Sequence, residues 1–514
     1  MEDEKIWETD VRTSPAAVVG RTLGRLPGLW SLGRKARRLA TGLPDFREKV
    51  EVPRSDEIFS WIEALCETPH RRPGTAEAHR AERWVADRFR EFGLENVSMD
   101  PVPITVWSAD TWSLEVGGIS FPSFYVPSTG FTGTEGVSGE LVYVGTGRPD
   151  AMERAAVAGK IVVADVPFPR VPIGFVMRAL RSRYYLSDPD RSISILSSRY
   201  LNFVRQNFIG GAVDADAAPE SDVYWQAQRL GASGVCLILK DQPAGTNSHY
   251  GPYDGIMKPM PGLWIGKREG KELIRYAHAG AGGRLTLEGK AEPGVMHNVW
   301  GLLPGRSDEV IMITSHHDSP FKGAVEDGAG MAQVLAQARA WSAVPREKRP
   351  MSIAFVINSG HFYGCEGGLA FAREHPDLMD RARLLITLEH LGAKEVREAD
   401  GEYVETGGLA FSVMFATPDL KTVALAVKAL TSEPARVTAL VPADLFTRLP
   451  VSDAAGFLKE AEIPVISWIG CPYYLLDEHD TIDKIQVDEL GPIARTVTDL
   501  VKGRMALWLC DCVA

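Results

Sequence analysis

The chain has 514 residues, more than one ordinary hydrophobic core can serve, so two or three domains are expected. Hydrophobic residues make up 45% and charged residues 24%, a globular balance without low-complexity tracts. The net charge of -11 and pI near 5.6 argue against a nucleic-acid-binding role, which needs a basic face. Cys66, Cys236, Cys365, Cys471, Cys510 and Cys512 show no C-x-x-C pair and no zinc-knuckle spacing, and in a chain this large they read as reduced thiols. The acidic opening MEDEKIWETD does not resemble a secretory signal, and no run of about 18 apolar residues offers a membrane span. A cytoplasmic protein is expected.

Residues 1–50 read as an N-terminal arm. Its segment from Arg21 to Arg38 holds six basic residues and no acidic one, with Leu23, Leu26, Leu29, Trp30 and Leu32 between them. Such a pattern suits a membrane-surface or partner-docking helix, or an arm packed on its own protein or on a second subunit. The packed arm is preferred, since Pro27 and the glycines Gly24, Gly28 and Gly33 weaken any long helix there.

Helical spacing follows from Ser55 to Cys66, through Ile58, Trp61, Ile62 and Leu65. It returns from Ala76 to Phe92, through Ala81, Trp84, Val85, Phe89 and Phe92, with Gly93 as a stop. From 107 to 294 the character changes. Short β-rich runs, ELVYVG, GKIVVADV and GVCLIL, lie among Gly and Pro turns, with helical VYWQAQRLGA before the third. This reads as a mainly β unit inserted between 51–106 and 295–514. Its stretch from Arg170 to Asp222 is long and irregular, which suggests a functional loop or lid. There Arg178, Arg181, Arg183, Tyr184, Tyr185, Tyr200 and Arg205 are candidates to meet substrate, a partner subunit or one another.

After Asn298 the rhythm becomes regular. Strands are expected at 309–315, 352–358, 383–388 and 464–469, with helices from Ala329 to Trp341 and from Gly367 to Glu374. Continuous apolar strands alternating with helices predict an α/β fold, a mostly parallel twisted sheet with helices on both faces. The polar residues gather just past those strands: HHDSP (316–320), NSGH (358–361), EH (389–390) and DEHDTID (477–483). Open α/β sheets bind ligands outside the carboxyl ends of their strands, and a metal site needs His and carboxylates converging there. One histidine so placed is commonly structural; four clusters, each following a strand, point to a site.

These residues resemble a known family, the co-catalytic zinc exopeptidases of the aminopeptidase and glutamate carboxypeptidase type. His-x-Asp-Ser after a strand carries the likeness, followed by a carboxylate before a small-residue helix start. HNVWGLLPGRSDEVIMITSHHDS, SDAAGFLKEAEIPVISW and DTIDKI agree with it, and AGKIVVADV and QAQRLGASGVCLIL are similar to a protease-associated domain. Carried over by position, the resemblance implies His316, Glu326 and Glu389 as ligands of one divalent ion, Zn²⁺, Mn²⁺ or Fe²⁺. Asp318 would orient His316. A one-residue shift would put Asp327 in the place of Glu326. The family's Glu-Glu pair falls on His361 and Phe362, and its final His ligand on Leu476; His479 would need a three-residue slip. The resemblance therefore implies one metal per chain, with His361 as the general base or as a further ligand. His317 and His390 alternate with their neighbours along the strands and are expected to point away from the site.

The expected function is hydrolysis of an amide or peptide-like C–N bond by a metal-activated water. The alternatives are a lyase, cyclase or deaminase acting on a small metabolite, and an inactive scaffold. The inserted unit would act as a lid. Arg71 and Arg72 could be anion contacts or solvated charges, and the usual exposure of arginine favours the second; a homodimer fits an arm-bearing chain of this fold.

Overall fold

The computed structural model describes residues 15–167, 170–171, 185–187, 199–200, 223–242, 244–433, 438–445 and 449–511. Arg178, Arg181, Arg183, Tyr184 and Arg205 lie outside the described residues. Of the long loop, only the short strands Arg170–Val171, Tyr185–Ser187 and Arg199–Tyr200 are described.

Four strands of nearly unbroken apolar sequence make the centre of the sheet. Met351–Asn358, Ser307–His316, Ala382–Glu389 and Val465–Gly470 are parallel neighbours in that order. Such strands need cover on both faces, and alternation along the backbone supplies it. Ile311, Ile313, Phe355 and Ile386 face one core with Ile58, Val85 and Phe89 of the helices Ser55–Cys66 and Ala76–Glu91. Val310, Met312, Val356 and Leu385 face the other, with Phe371 and Phe457 of Glu366–Glu374 and Ala454–Leu458. Ser412–Ala416 extends the sheet antiparallel to Val465–Gly470, and Thr438–Pro442 runs parallel beside it. Because the central strands run the same way, their carboxyl ends open on one side of the sheet.

At the opposite edge Gly282–Leu303 pairs antiparallel with Met351–Asn358 and, along its length, with Glu95–Val116. These two strands form a ribbon that leaves the central sheet and carries the residues between them. Val137–Tyr143, Ile161–Val166, Gly234–Leu239 and Gly262–Ile265 are parallel neighbours there, with Ser123–Tyr125 antiparallel at the end. The three runs expected as strands are strands. Pro149–Ala155 links the first pair and Val223–Arg229 enters the third strand, since parallel neighbours need crossover connections. Pairing of Val137 with Leu285 makes the hydrogen bonding continuous between this region and the ribbon.

The N-terminal arm is a helix, Pro15–Gly42, longer than its proline and glycines predict. Packing outweighs propensity here. Leu29, Ala36, Ala40 and Leu43 are buried, Arg25 pairs with Asp444 at 2.8 Å, and Lys428 Nζ donates to the Leu43 carbonyl at 3.1 Å. The arm thus packs on its own chain, against Leu420–Ser432. Among the described residues no helix is long and apolar enough to cross a membrane.

Ile386 sits fully buried in a central strand. Ile386→Ala should cost about 2–5 kcal/mol, read as a lowered midpoint of thermal unfolding; an unchanged midpoint would show that the sheet does not depend on this layer.

Candidate metal centre

Three of the four central strands deliver a side chain to the same place. Ser307–His316 ends on His316, and Met351–Asn358 runs through Ser359 and Gly360 to His361. Ala382–Glu389 ends on Glu389, where His390 takes a left-handed backbone (φ 57°) and turns the chain. Glu326 and Asp327 come from the irregular turn Ala324–Ala329 that precedes the helix Gly330–Ser342. Gly330 is required at that junction: a Cβ there would lie 2.3 Å from Asp327 Oδ2 and 2.4 Å from the Leu388 carbonyl.

The resulting cluster is buried. His316 Nε2 lies 3.4 Å from Glu326 Oε1, and His361 Nε2 lies 3.6 Å from the same oxygen. The His316 and His361 rings stack with centroids 4.2 Å apart. His390 Nε2 lies 2.7 Å from Glu326 Oε2. Ligand atoms of His316, Glu326 and His361 fall within 4.8 Å of one another, as do those of His316, Glu389 and His390. The structure therefore brings together His316, Glu326, Glu389 and His361, as the sequence predicts. It also adds His390, which the strand alternation had turned away: the strand stops at Glu389, and the left-handed residue swings the imidazole back.

The choice between the two neighbouring acids follows from their partners. Asp327 is engaged with protein groups, accepting from Ser315 Oγ at 2.5 Å, from the His390 N–H at 2.8 Å and from the Gly330 N–H at 3.2 Å. Glu326 instead directs both oxygens at imidazoles. Asp318 stands behind His316 as expected, but His316 Nδ1 meets the Asp318 carbonyl at 3.1 Å and the carboxylate only at 3.5 Å. That carboxylate accepts the Phe362 N–H at 3.0 Å. His317 lies beneath the strand, its Nε2 3.0 Å from the His297 carbonyl. His479 pairs with Asp477 at 3.1 Å and joins none of the groups around His316.

Two residues at the centre were not anticipated from sequence. Asp453 Oδ1 lies 2.6 Å from His361 Nδ1 and 3.2 Å from Cys365 Sγ, and the Asp453 N–H donates to Glu389 Oε1 at 3.1 Å. Asp453 sits in a loop with no strand signal before it, and Cys365 lies beyond His361 at the start of the helix Glu366–Glu374, so spacing gave no pointer to either. Arg71 corrects an expectation outright. It is fully buried, not solvated, and donates to the carbonyls of His317 (2.8 Å), Lys322 (2.8 Å) and Gly323 (2.9 Å). Arg72 is half-buried, donating to the Pro320 carbonyl at 3.0 Å with its guanidinium 4.9 Å from the centroid of Tyr250. Carbonyls presented by a folded loop are invisible in sequence, so the usual exposure of arginine is a poor guide to both residues.

Burial disfavours charge on each buried group, and neighbours decide the outcome. Burial, aided by the Asp453 carboxylate, pushes Glu389 up to about 8. Burial would lower His316 and His390, yet facing carboxylates hold them at about 9 and about 10. His361 is likewise raised well above the usual imidazole range by Asp453, against its burial. Acidic groups therefore dominate, and positive charge is required among them. A divalent cation fits: His316 Nε2 and Glu326 Oε1 are buried with no hydrogen-bond partner among the described residues. Their 3.4 Å separation matches two ligands of a tetrahedral ion with bonds of about 2.1 Å.

Residues 298–501 match the family model described as Peptidase family M28. The matched segment contains every residue of the cluster just described. The chain is also similar to solved structures. A zinc aminopeptidase from Bacillus subtilis aligns with TM-score 0.62 and 16% identity, over 88% of this chain and 95% of that one. An aminopeptidase from Aneurinibacillus sp. strain AM-1 aligns with TM-score 0.57 and 20% identity, over 87% and 93%. A peptidase M28 precursor from Shewanella amazonensis SB2B gives 0.63 and 17%, over 94% and 97%. These likenesses carry the fold, the α/β sheet expected from the sequence. No curated protein sequence matches the chain.

Arg71→Met would strip three buried carbonyls of a charged donor. It should destabilise the protein by about 3 kcal/mol or more, with Arg71→Lys recovering part of the loss because an ammonium lacks the guanidinium fork. Thermal unfolding of both variants checks this; equal midpoints for Arg71→Met and wild type would refute it.

Proposed function

We propose that this protein is a metal-dependent hydrolase of an amide or peptide bond, with one divalent ion held by His316, Glu326 and Glu389. The observation that carries the reading is the unpartnered pair His316 Nε2 and Glu326 Oε1, buried beside an imidazole that a carboxylate orients. A divalent ion so held would polarise a scissile carbonyl and lower the pKa of a water.

The protein's own part in the chemistry falls to His361. Its Nδ1 faces Asp453 at 2.6 Å, which fixes the ring and the tautomer, so Nε2 is the atom that accepts and returns a proton. That Nε2 points into the cluster, 3.6 Å from Glu326 Oε1. Asp318 positions His316 and does not meet substrate. The single-ion reading is supported by Phe362 and Leu476, both buried and apolar, where a second ion would need ligands.

The region between the ribbon strands suits a lid of the protease-associated kind. The Tyr253 ring lies 4.8 Å from that of His361, and Tyr250 and Tyr253 both pack edge-on against Phe362. The Gly364 N–H donates to the Tyr253 carbonyl at 3.0 Å, so the lid is tied to the loop that carries His361. Tyr253 against the imidazole, with Tyr250 beside it on Phe362, would exclude water and offer apolar surface to a side chain of a peptide-like substrate.

Wild type purified without added metal should hold one ion more than His316→Ala or Glu389→Ala, measured by elemental analysis. Equal contents in all three, even after addition of Zn²⁺, Mn²⁺ or Fe²⁺, would sink the reading. His361→Gln should keep that ion while kcat on a panel of aminoacyl amides falls by about 10²–10⁴. An unchanged kcat would remove His361 from proton transfer, and a bound ion with no turnover of any amide would move the chemistry to another reaction class.

A further inference from the structure

A second group of metal-binding side chains lies on the far side of the strand that carries His316. His79 and Glu82 stand one turn apart on the helix Ala76–Glu91, and His297 faces them from the strand Gly282–Leu303. His79 Nδ1 lies 2.7 Å from Glu82 Oε2, and His297 Nδ1 lies 2.8 Å from the same oxygen. The other oxygen, Oε1, accepts the His297 N–H at 3.1 Å and has His317 Nε2 at 3.7 Å. The Glu82 side chain is fully buried, while those of His79 and His297 remain 28% and 25% exposed.

We propose that His79, Glu82 and His297 form a divalent-cation site of the His₂Glu type, separate from the cleft, suited to Zn²⁺. Two imidazoles and one carboxylate converge from two different elements, which is the ligand set and number of a zinc site that keeps an open position. Both nitrogens already aim at one carboxylate oxygen. A tetrahedral ion with bonds of about 2.0–2.1 Å needs its ligands about 3.3 Å apart, so the group must open by about half an ångström. The partly exposed His79 ring can supply that by rotation, and the same exposure gives the ion its path from solvent. The Nε2 of His317 is directed at the His297 carbonyl, 3.0 Å away, so a neighbouring imidazole braces the strand that presents His297. An ion there would tie the helix Ala76–Glu91 to the sheet beneath His316, a structural role.

The test counts ions at saturation with Zn²⁺ and follows thermal unfolding. The double variant His79→Gln/His297→Gln should bind one Zn²⁺ fewer than wild type. The cleft variant His316→Ala should retain that peripheral ion, show a tetrahedral absorption band with Co²⁺, and gain in unfolding midpoint on Zn²⁺ addition. Should the double variant fold poorly, the single His79→Gln, at a partly exposed helix position, should lose the Zn²⁺-dependent gain when built into His316→Ala. Equal Zn²⁺ content in wild type and the double variant, or a cleft variant that neither binds Co²⁺ nor responds to Zn²⁺, overturns the proposal and leaves a hydrogen-bonded brace only. Because the cleft ion is read from His316→Ala and this one from His79→Gln, either site can fail without the other.

Discussion

Six carboxyl groups, Asp318, Glu326, Asp327, Glu389, Asp453 and Asp480, are buried together at the ends of the central strands, and this charge must be neutralised for the fold to exist. Isolated buried charges cost several kcal/mol each, so every one needs a donor, a proton or a cation. The protein answers group by group. Asp327 and Asp480 take backbone and hydroxyl donors, and Asp453 takes His361, Cys365 and Asn358. Glu326 and Glu389 are left beside the imidazoles of His316, His361 and His390, where a cation or protons must balance them. Raised imidazole and carboxyl pKa values at His316, His390 and Glu389 are the same statement made with protons.

The turn Ala324–Ala329 is where this neutralisation becomes geometry. Asp480 accepts its N–H groups, from Val325 and Glu326 at 2.8 Å each, while Arg71 donates to the carbonyls of Gly323 and Lys322 leading into it. An acid from the loop after Val465–Gly470 and a base from just before the helix Ala76–Glu91 thus hold the two polarities of one peptide segment. The Glu326 side chain is aimed by groups 155 and 251 residues distant along the chain from the atoms they bind. Rigid support of this kind keeps ligand atoms within the few tenths of an ångström that coordination tolerates.

The region between the ribbon strands also reaches the cluster. Its ribbon leaves the central sheet at the edge strand, and its chain returns over the cluster at Tyr250 and Tyr253. Tyr250 donates its N–H to the Leu476 carbonyl at 2.8 Å, so the returning segment also touches the loop that carries Asp480. The segment between the ribbon strands is thus hydrogen-bonded to two of the loops around the cluster, through the Gly364 N–H to the Tyr253 carbonyl and the Tyr250 N–H to the Leu476 carbonyl.

The sequence alone determined the central strands, the flanking helices and the place where chemistry would gather, because period and apolar run length follow directly from burial on both faces of a sheet. It pointed to the strand ends that carry His316, His361 and Glu389, because the carboxyl ends of parallel strands open on one side, while Glu326 was named only by the family resemblance. Tertiary structure decided the rest. His390 enters the cluster through one left-handed residue, which alternation along a strand cannot foresee. Asp453 and Cys365 reach His361 from loops without periodicity. Arg71 and Arg72 are read correctly only once the carbonyls of 317–323 are in place, and the arm forms a long helix through Pro27 because the body of the protein offers it a surface. Pattern encodes which faces are buried; which polar groups satisfy one another is a property of atoms brought together from distant parts of the chain.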